Sequence, residues 1–358
     1  MRIRKLLAVL ILVAVAITAE AVPLHKYQVR NAAQRQAVCN DGTPAVYYFR
    51  PGSGSGINNW VIFLGGGAFC FSVQSCDLRW RQSPELMTSR GKPATLQLDG
   101  LLSDSPAANP DFYNANHVVV PYCTSDLWSG DREGSQATRE WEFRGIRVFR
   151  ALVQDLKTVS FGSGPTLSAA QQVLLSGTSA GGAGVMVNLD WLAAQLPGAN
   201  VRGLNDGGWI PQFLPDWPGV PSVQGLVRNA AKLWHGKPDV TCANANSDSI
   251  DHCYDSSVYP YLQTPLMVQE SQHDTWVLGI LQVHYPYNSW EQLIVNYFAA
   301  AVRRSLVPVH AAFSPRTNTH GLAPYTRFNS VKISGWSLRR VLGNWFFDRP
   351  GPKKVIRR

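Results

Sequence analysis

Short apolar runs set off by chain breakers give this sequence its rhythm. Ala45–Phe49 (AVYYF), Trp60–Leu64 (WVIFL), Val118–Tyr122 (VVVPY), Val173–Ser176 (VLLS) and Leu266–Gln269 (LMVQ) are each short and bounded by Gly, Pro, Asn or Asp. They are continuous rather than alternating, which predicts strands of a sheet covered on both faces. Helical periodicity lies between and after them. Ser289–Ser305 places Trp290, Leu293, Ile294, Tyr297, Phe298 and Ala301 on one stripe, and Arg139–Lys157 does the same with Ile146, Phe149, Val153 and Leu156. Alternation of this kind predicts an α/β architecture with a mostly parallel central sheet flanked by helices.

Neither an internal repeat nor a low-complexity linker divides the chain, so residues 22–349 read as a single domain. Gly52–Gly56 (GSGSG) reads as a hairpin loop ahead of the strand at Trp60. Residues 350–358, with Lys353, Lys354, Arg357 and Arg358, read as a solvated basic tail. At the other end, Arg2, Arg4 and Lys5 precede the apolar run Leu6–Ile17, and Ala19-Glu20-Ala21 supplies small residues for cleavage. Residues 1–21 therefore read as a secretory signal peptide, too short in its apolar part to span a bilayer. The expected location is extracellular, or periplasmic in a bacterium, with no stable membrane anchor after cleavage.

The 358 residues are 45% hydrophobic and only 16% charged, enough for a large core and unlike a disordered chain. The net charge of +9 is moderately basic. No basic helix, zinc-ligand run or aromatic RNA-binding box accompanies it, so nucleic acid is not an expected partner; an acidic glycan fits the charge weakly. Six cysteines behind a leader predict three disulfides. Proximity favours Cys70 with Cys76 and Cys242 with Cys253, which leaves Cys39 and Cys123 to close a long loop. No Cys-x-x-Cys or Cys/His cluster suggests a metal, and neither metal nor cofactor is expected.

The strongest local signal is Gly177-Thr178-Ser179-Ala180-Gly181. It follows the strand VLLS and opens a helical pattern, the strand, sharp turn and helix context of a nucleophile elbow. A serine needs a base and an orienting carboxylate, which follow it in the chain order Ser, Asp or Glu, His on α/β-hydrolase folds. Asp274 lies just beyond the strand LMVQ, at the sheet edge where parallel strands deliver functional side chains. His284, His310 and His320 follow it; His320 sits in a polar loop, His310 among apolar residues and His284 beside Tyr285 and Pro286. The residues alone leave the three open. Acyl transfer also needs oxyanion donors, and Gly65-Gly66-Gly67-Ala68 after the strand WVIFL is where such a loop occurs in esterases, with Ala180 offering a further amide. No complete phosphate-binding glycine motif is present. Asp190 and Asp206 read as turn-fixing or capping carboxylates, and Trp60 and Trp345 as core.

These pieces together resemble the pectin acetylesterase and Notum family of secreted serine carboxylesterases. The resemblance runs from about Cys39 to Arg349 and is carried by Cys39-Asn40-Asp41-Gly42-Thr43-Pro44, the glycine loop with Cys70, Asn109-Pro110-Asp111-Phe112-Tyr113-Asn114, Pro121-Tyr122-Cys123, Phe143-Arg144-Gly145, the elbow Ser176–Gly182 and Gly343-Asn344-Trp345-Phe346-Phe347-Asp348-Arg349. It implies an α/β-hydrolase-like fold, a Ser179–Asp274–His320 triad and an oxyanion hole of Gly67, Ala68 and Ala180. It implies two substrate classes, acetylated polysaccharide or a lipidated protein. Ser125–Gly130 and Val201–Leu204 look more like the Notum branch. Ala68 stands where that branch has a tryptophan resembling part of an acyl-pocket wall, and no Asn-x-Ser/Thr sequon is present, so the acyl group stays open. The alternative function is a catalytically inactive extracellular glycan- or partner-binding protein on the same fold; a serine peptidase is a more distant one.

Overall fold

The computed structural model describes residues 21–161, 164–212, 222–247 and 250–358. All but the last residue of the predicted signal peptide lies outside them. The strands are β1 (Leu24–Gln28), β2 (Val46–Arg50), β3 (Asn59–Leu64), β4 (Thr95–Leu96), β5 (Asn116–Val120), β6 (Gln172–Thr178), β7 (Asn200–Asp206), β8 (Leu266–Gln269), β9 (Ala311–Ser314), a small hairpin β10 (Lys332–Ile333) and β11 (Trp336–Ser337), and β12 (Lys354–Ile356). The helices are α1 (Val73–Gln82), α2 (Gly145–Thr158), α3 (Ala180–Gln195), α4 (Val223–Trp234), α5 (Val240–Ala245), α6 (Thr275–Ile280), α7 (Ser289–Ser305), α8 (Arg327–Ser330) and α9 (Leu338–Phe346).

Ten strands form one sheet in the order β12-β9-β8-β7-β6-β3-β5-β2-β1-β4. Every pairing from β12 to β5 is parallel, and β2, β1 and β4 complete it through antiparallel pairs. This is the mostly parallel arrangement expected from the apolar runs, and it is α/β-hydrolase-like, as the resemblance implies. Alternate residues of one strand feed opposite cores, which is why the runs are continuous. Trp60, Ile62 and Leu64 pack with Leu152 of α2, Val185 of α3, Trp234 of α4 and Phe298 of α7. Val61 and Phe63 face the other way, with Phe328 of α8 and Leu338 and Phe346 of α9. Trp60 and Trp345 are both buried.

Three local readings change. The Gly52–Gly56 stretch is not a hairpin loop, because β5 lies between β2 and β3 in the sheet. The chain arches across the start of β5, where a Cβ at Gly52 would stand 2.9 Å from the Asn116 amide nitrogen. The glycines serve close backbone approach rather than a tight reversal. The second helix starts at Gly145, not near 139, because Arg139 and Glu140 have φ of +51° and +64° and Phe143 bridges Arg132 as a short antiparallel contact. The basic stretch 350–358 is not a free tail, since β12 within it pairs with β9 as the sheet's edge, Val355 opposite Phe313.

The disulfides join Cys39 to Cys123, Cys70 to Cys76 and Cys242 to Cys253. Cys39–Cys123 ties the segment before β2 to the loop after β5, across 84 residues of sequence. Native bridges of this kind stabilise small secreted folds by about 2–5 kcal/mol each.

A buried polar pair sits under β2 and β5. His117 donates from Nε2 to the Phe112 carbonyl at 2.8 Å, which leaves Nδ1 to accept from the Arg50 guanidinium. Burial, reinforced by the Arg50 charge, pushes the imidazole pKa down to about 3. The folded chain therefore binds fewer protons than the unfolded chain between about pH 6.5 and 3, so this site loses stability as pH falls through that window. His117→Gln keeps a donor and an acceptor without the titration. Its denaturant midpoint is expected to depend less steeply on pH over the same window than that of the wild type; equal slopes would assign the acid sensitivity to other groups.

Candidate active site

The carboxyl ends of β3, β6, β7, β8 and β9 point to one edge of the sheet, and the chemistry-bearing residues of the sequence follow them. Ser179 is the first residue after β6, with φ +61° and ψ −124°, a backbone region that non-glycine residues occupy only under constraint. Its neighbours explain the constraint. A Cβ on Gly177 would collide with the Gly181 carbonyl, and one on Gly181 with the Leu64 carbonyl at the end of β3. The turn is thus wedged against the neighbouring strand, and only glycine on either side lets the backbones approach.

The glycine loop after β3 packs on the same turn, since a Cβ on Gly66 would meet the Thr178 carbonyl. Gly67 and Ala68 follow with φ of +147° and +58°. Arg79 of α1 donates to the Gly67 carbonyl and, at 2.8 Å, to Ser125 Oγ, so the loop is held from behind. Trp234 Nε1 donates to the Cys70 carbonyl at 2.9 Å, and the Cys70–Cys76 bridge anchors the loop to α1. The amides of Gly67 and Ala68 meet no acceptor among the described residues. Ala180 opens α3, where first-turn amides have no intrahelical acceptor.

Asp274 is the N-cap of α6 and fully buried. Its Oδ1 accepts from the amides of Trp276 and Val277 at 2.8 and 3.2 Å, while Oδ2 lies 2.7 Å from His320 Nδ1. One carboxylate oxygen is spent on the helix end, which fixes the other toward the imidazole. With Nδ1 donating to the carboxylate, Nε2 is left as an acceptor, and it has no partner among the described residues. His320 and Ser179 line the same cavity, of about 680 Å³, together with Gly67, Ala68, Arg79 and Trp276. The other two histidines lie elsewhere: His284 is exposed, and His310 lines a separate cavity with Leu266 and Trp345, at the opposite end of β8.

Four further residues belong to this edge; Glu270, Trp276 and Arg79 escaped the sequence reading, and Asp206 was given a smaller role. Asp206, at the end of β7, is buried and accepts from the Leu322 and Ala323 amides at 2.9–3.0 Å and from Thr178 Oγ1 at 2.6 Å. It therefore clamps the loop carrying His320 to the turn carrying Ser179, a longer-range task than the turn-fixing expected of it. Asp190, on α3, likewise reaches a distant segment rather than a local turn, accepting from the amides of Gln263 and Thr264. Glu270 is buried beside Asp274; burial, and then the Asp274 charge, pushes its pKa well up. Trp276 stacks on His320, with centroids 5.1 Å apart and planes 22° apart. Arg79 is the fourth. Position at a strand end marked Asp206, and Trp276 follows Asp274 by two residues, but neither residue type announces a role.

Among the described residues no group of three His, Cys, Asp or Glu side chains could hold a metal ion, and no helix is long and apolar enough to cross a membrane.

The chain is 35% identical over 324 residues to palmitoleoyl-protein carboxylesterase NOTUM of Drosophila melanogaster, covering 88% of this chain and 47% of the relative. It is 34% identical over 326 residues to the Homo sapiens protein of that name, covering 86% and 63%. The chain thus spans about half of the first and under two thirds of the second. Pectin acetylesterase 11 of Arabidopsis thaliana is 29% identical over 374 residues, covering 96% of this chain and 92% of its own length. The solved structure of the Wnt deacylase Notum from Drosophila superposes with a TM-score of 0.84 at 32% identity, over 94% of this chain and 97% of that one. The pectinacetylesterase family model matches residues 17–357. On the sequence match and the shared fold together, this chain belongs to the pectinacetylesterase family.

Proposed function

We propose that this protein is a secreted serine carboxylesterase that removes an O-acyl group through an acyl-enzyme. The observation that carries the reading is the Asp274–His320 bond of 2.7 Å on the cavity that Ser179 lines from its constrained turn. His320 Nε2 takes the proton of the Ser179 hydroxyl as Oγ attacks the ester carbonyl carbon. Negative charge develops on the carbonyl oxygen, and the amides of Gly67, Ala68 and Ala180 receive it; a single donor of this type is worth about 10²–10³ in kcat. The imidazolium, held by Asp274, then returns its proton to the departing alcohol oxygen as the bond to the acyl carbon breaks. Water repeats the sequence, giving up a proton to His320 and releasing the carboxylic acid and the free serine.

The relatives named above act on a palmitoleoyl-protein and on acetylated pectin by their names, so the substrate class of this chain is an acylated polysaccharide or a lipidated protein. The leader pattern and three disulfides support an oxidising compartment outside the cytoplasm.

Ser179→Ala removes a hydroxyl from the cavity wall and little packing, so unfolding is expected to be unchanged while hydrolysis of p-nitrophenyl acetate falls to the uncatalysed rate. Retained turnover in the purified variant would overturn the nucleophile. Asp274→Asn preserves an N-cap for α6, since asparagine caps as well as aspartate. It is expected to leave the fold and KM nearly intact and to lower kcat by about 10⁴, because the imidazole loses its charge partner and its favoured tautomer. Steady-state kinetics with circular dichroism as a folding control decides it, and a drop below tenfold would remove Asp274 from the mechanism.

A further inference from the structure

Ser179 borders two spaces of very different size. The larger is the 680 Å³ cavity, which it shares with His320 and Gly67 under the apolar walls of Phe63, Leu98 and Val119. The smaller is a slot of about 30 Å³ between Phe69, Ala180, Trp209 and Ile210, which His320 does not line. Ala68 and Trp276 border both.

An ester bound for attack on Ser179 must split between these spaces. The general acid has to reach the leaving oxygen, so the alcohol lies on the side of His320, in the large cavity. The acyl chain then projects away from the imidazole, into the slot. Room of about 30 Å³ seats one or two water-sized groups, such as the methyl of an acetyl ester, and is too small to enclose an alkyl chain of eight carbons. Of the residues that line both spaces, Ser179, Ala68 and Trp276, the bulkiest is Trp276, whose indole is held against His320 by ring stacking and leans on an N-cap that the catalytic carboxylate itself forms.

Resting on the deacylase reading above, we infer that Trp276 is the specificity-determining residue of this site: it closes the acyl slot to all but acetyl-sized groups, while the large cavity receives a bulky alcohol. The substrate class is then an acetyl ester of a large acceptor rather than a long-chain acyl ester.

The test is kcat/KM on p-nitrophenyl acetate, butyrate and octanoate for the wild type, Trp276→Ala and Ile210→Ala, with Ser179→Ala as blank. The wild type is expected to prefer acetate to octanoate by more than about 100-fold, and Trp276→Ala to shrink that preference by at least about tenfold, given the known worth of single methylenes in apolar pockets. A loosened His320 would slow all three esters together and leave the ratio unmoved, so the ratio separates specificity from positioning. If Trp276→Ala is inactive or unfolded, Ile210→Ala, which widens the slot without touching His320, is expected to shift the ratio the same way. A wild type that turns over octanoate as well as acetate, or a ratio unmoved in every active variant, overturns the slot and leaves the deacylase reading standing. Absence of Ser179-dependent turnover on all three esters overturns the deacylase reading instead.

Discussion

Everything at the functional edge depends on how closely the end of β3 approaches the turn after β6. The two strands are paired through Leu64 opposite Gly177, and the turn that follows is pressed on the Leu64 carbonyl at Gly181 and on the glycine loop at Gly66. Three glycines from two distant segments thus pack backbone to backbone. Ser179 has nowhere to go but the left-handed region, and the same contact sets the Gly67–Ala68 amides beside it. The proposed nucleophile and its proposed oxyanion donors are in this way one structural unit, held by sterics. Arg79, the Cys70–Cys76 bridge and Trp234 then hold the loop from its outer side.

The electrostatic part is arranged around three buried carboxyls with different tasks. Asp274 divides its oxygens between a helix end and His320. Asp206 is surrounded by donors, two amides and a hydroxyl, and uses them to tie the His320 loop to the Ser179 turn; burial raises its pKa against those hydrogen bonds. Glu270 accepts from the Trp209 amide and sits in the field of Asp274, and burial, then that charge, push its pKa up. Of the three, Asp274 is the one in contact with the imidazole. The burial that makes these groups costly in isolation is what gives the single charged contact its directionality.

The legible parts of the sequence were those where local pattern and tertiary role coincide. Apolar runs long enough to cross a doubly covered sheet announced β3, β6 and β8, and the elbow was readable because its glycines must flank the serine in sequence. The choice among His284, His310 and His320 was not readable from residues, because it depends on which loop the sheet order brings to Asp274. β7 was missed for a related reason: Arg202, Gly203 and Asn205 interrupt its apolar pattern, yet the strand is central and Gly203 is required where Leu189 and Leu266 press on it. The glycines at 52–56 and the basic stretch at 354–356 were misread because each has a plausible local role, a turn or a solvated tail, that a distant partner overrides.

In the proposed site, Trp276 couples orientation and selectivity. Its amide is capped by Asp274 Oδ1 while its ring stacks on the histidine that Asp274 Oδ2 holds, so the indole and the imidazole are positioned by the two oxygens of one carboxylate. The wall of the proposed acyl slot is therefore registered to the proposed general base. An acyl group that displaced the indole would also disturb the imidazole it stacks on, and a fitting one leaves both in place. Selectivity built this way acts on the chemical step as well as on binding, since the misfit is felt where the proton is transferred.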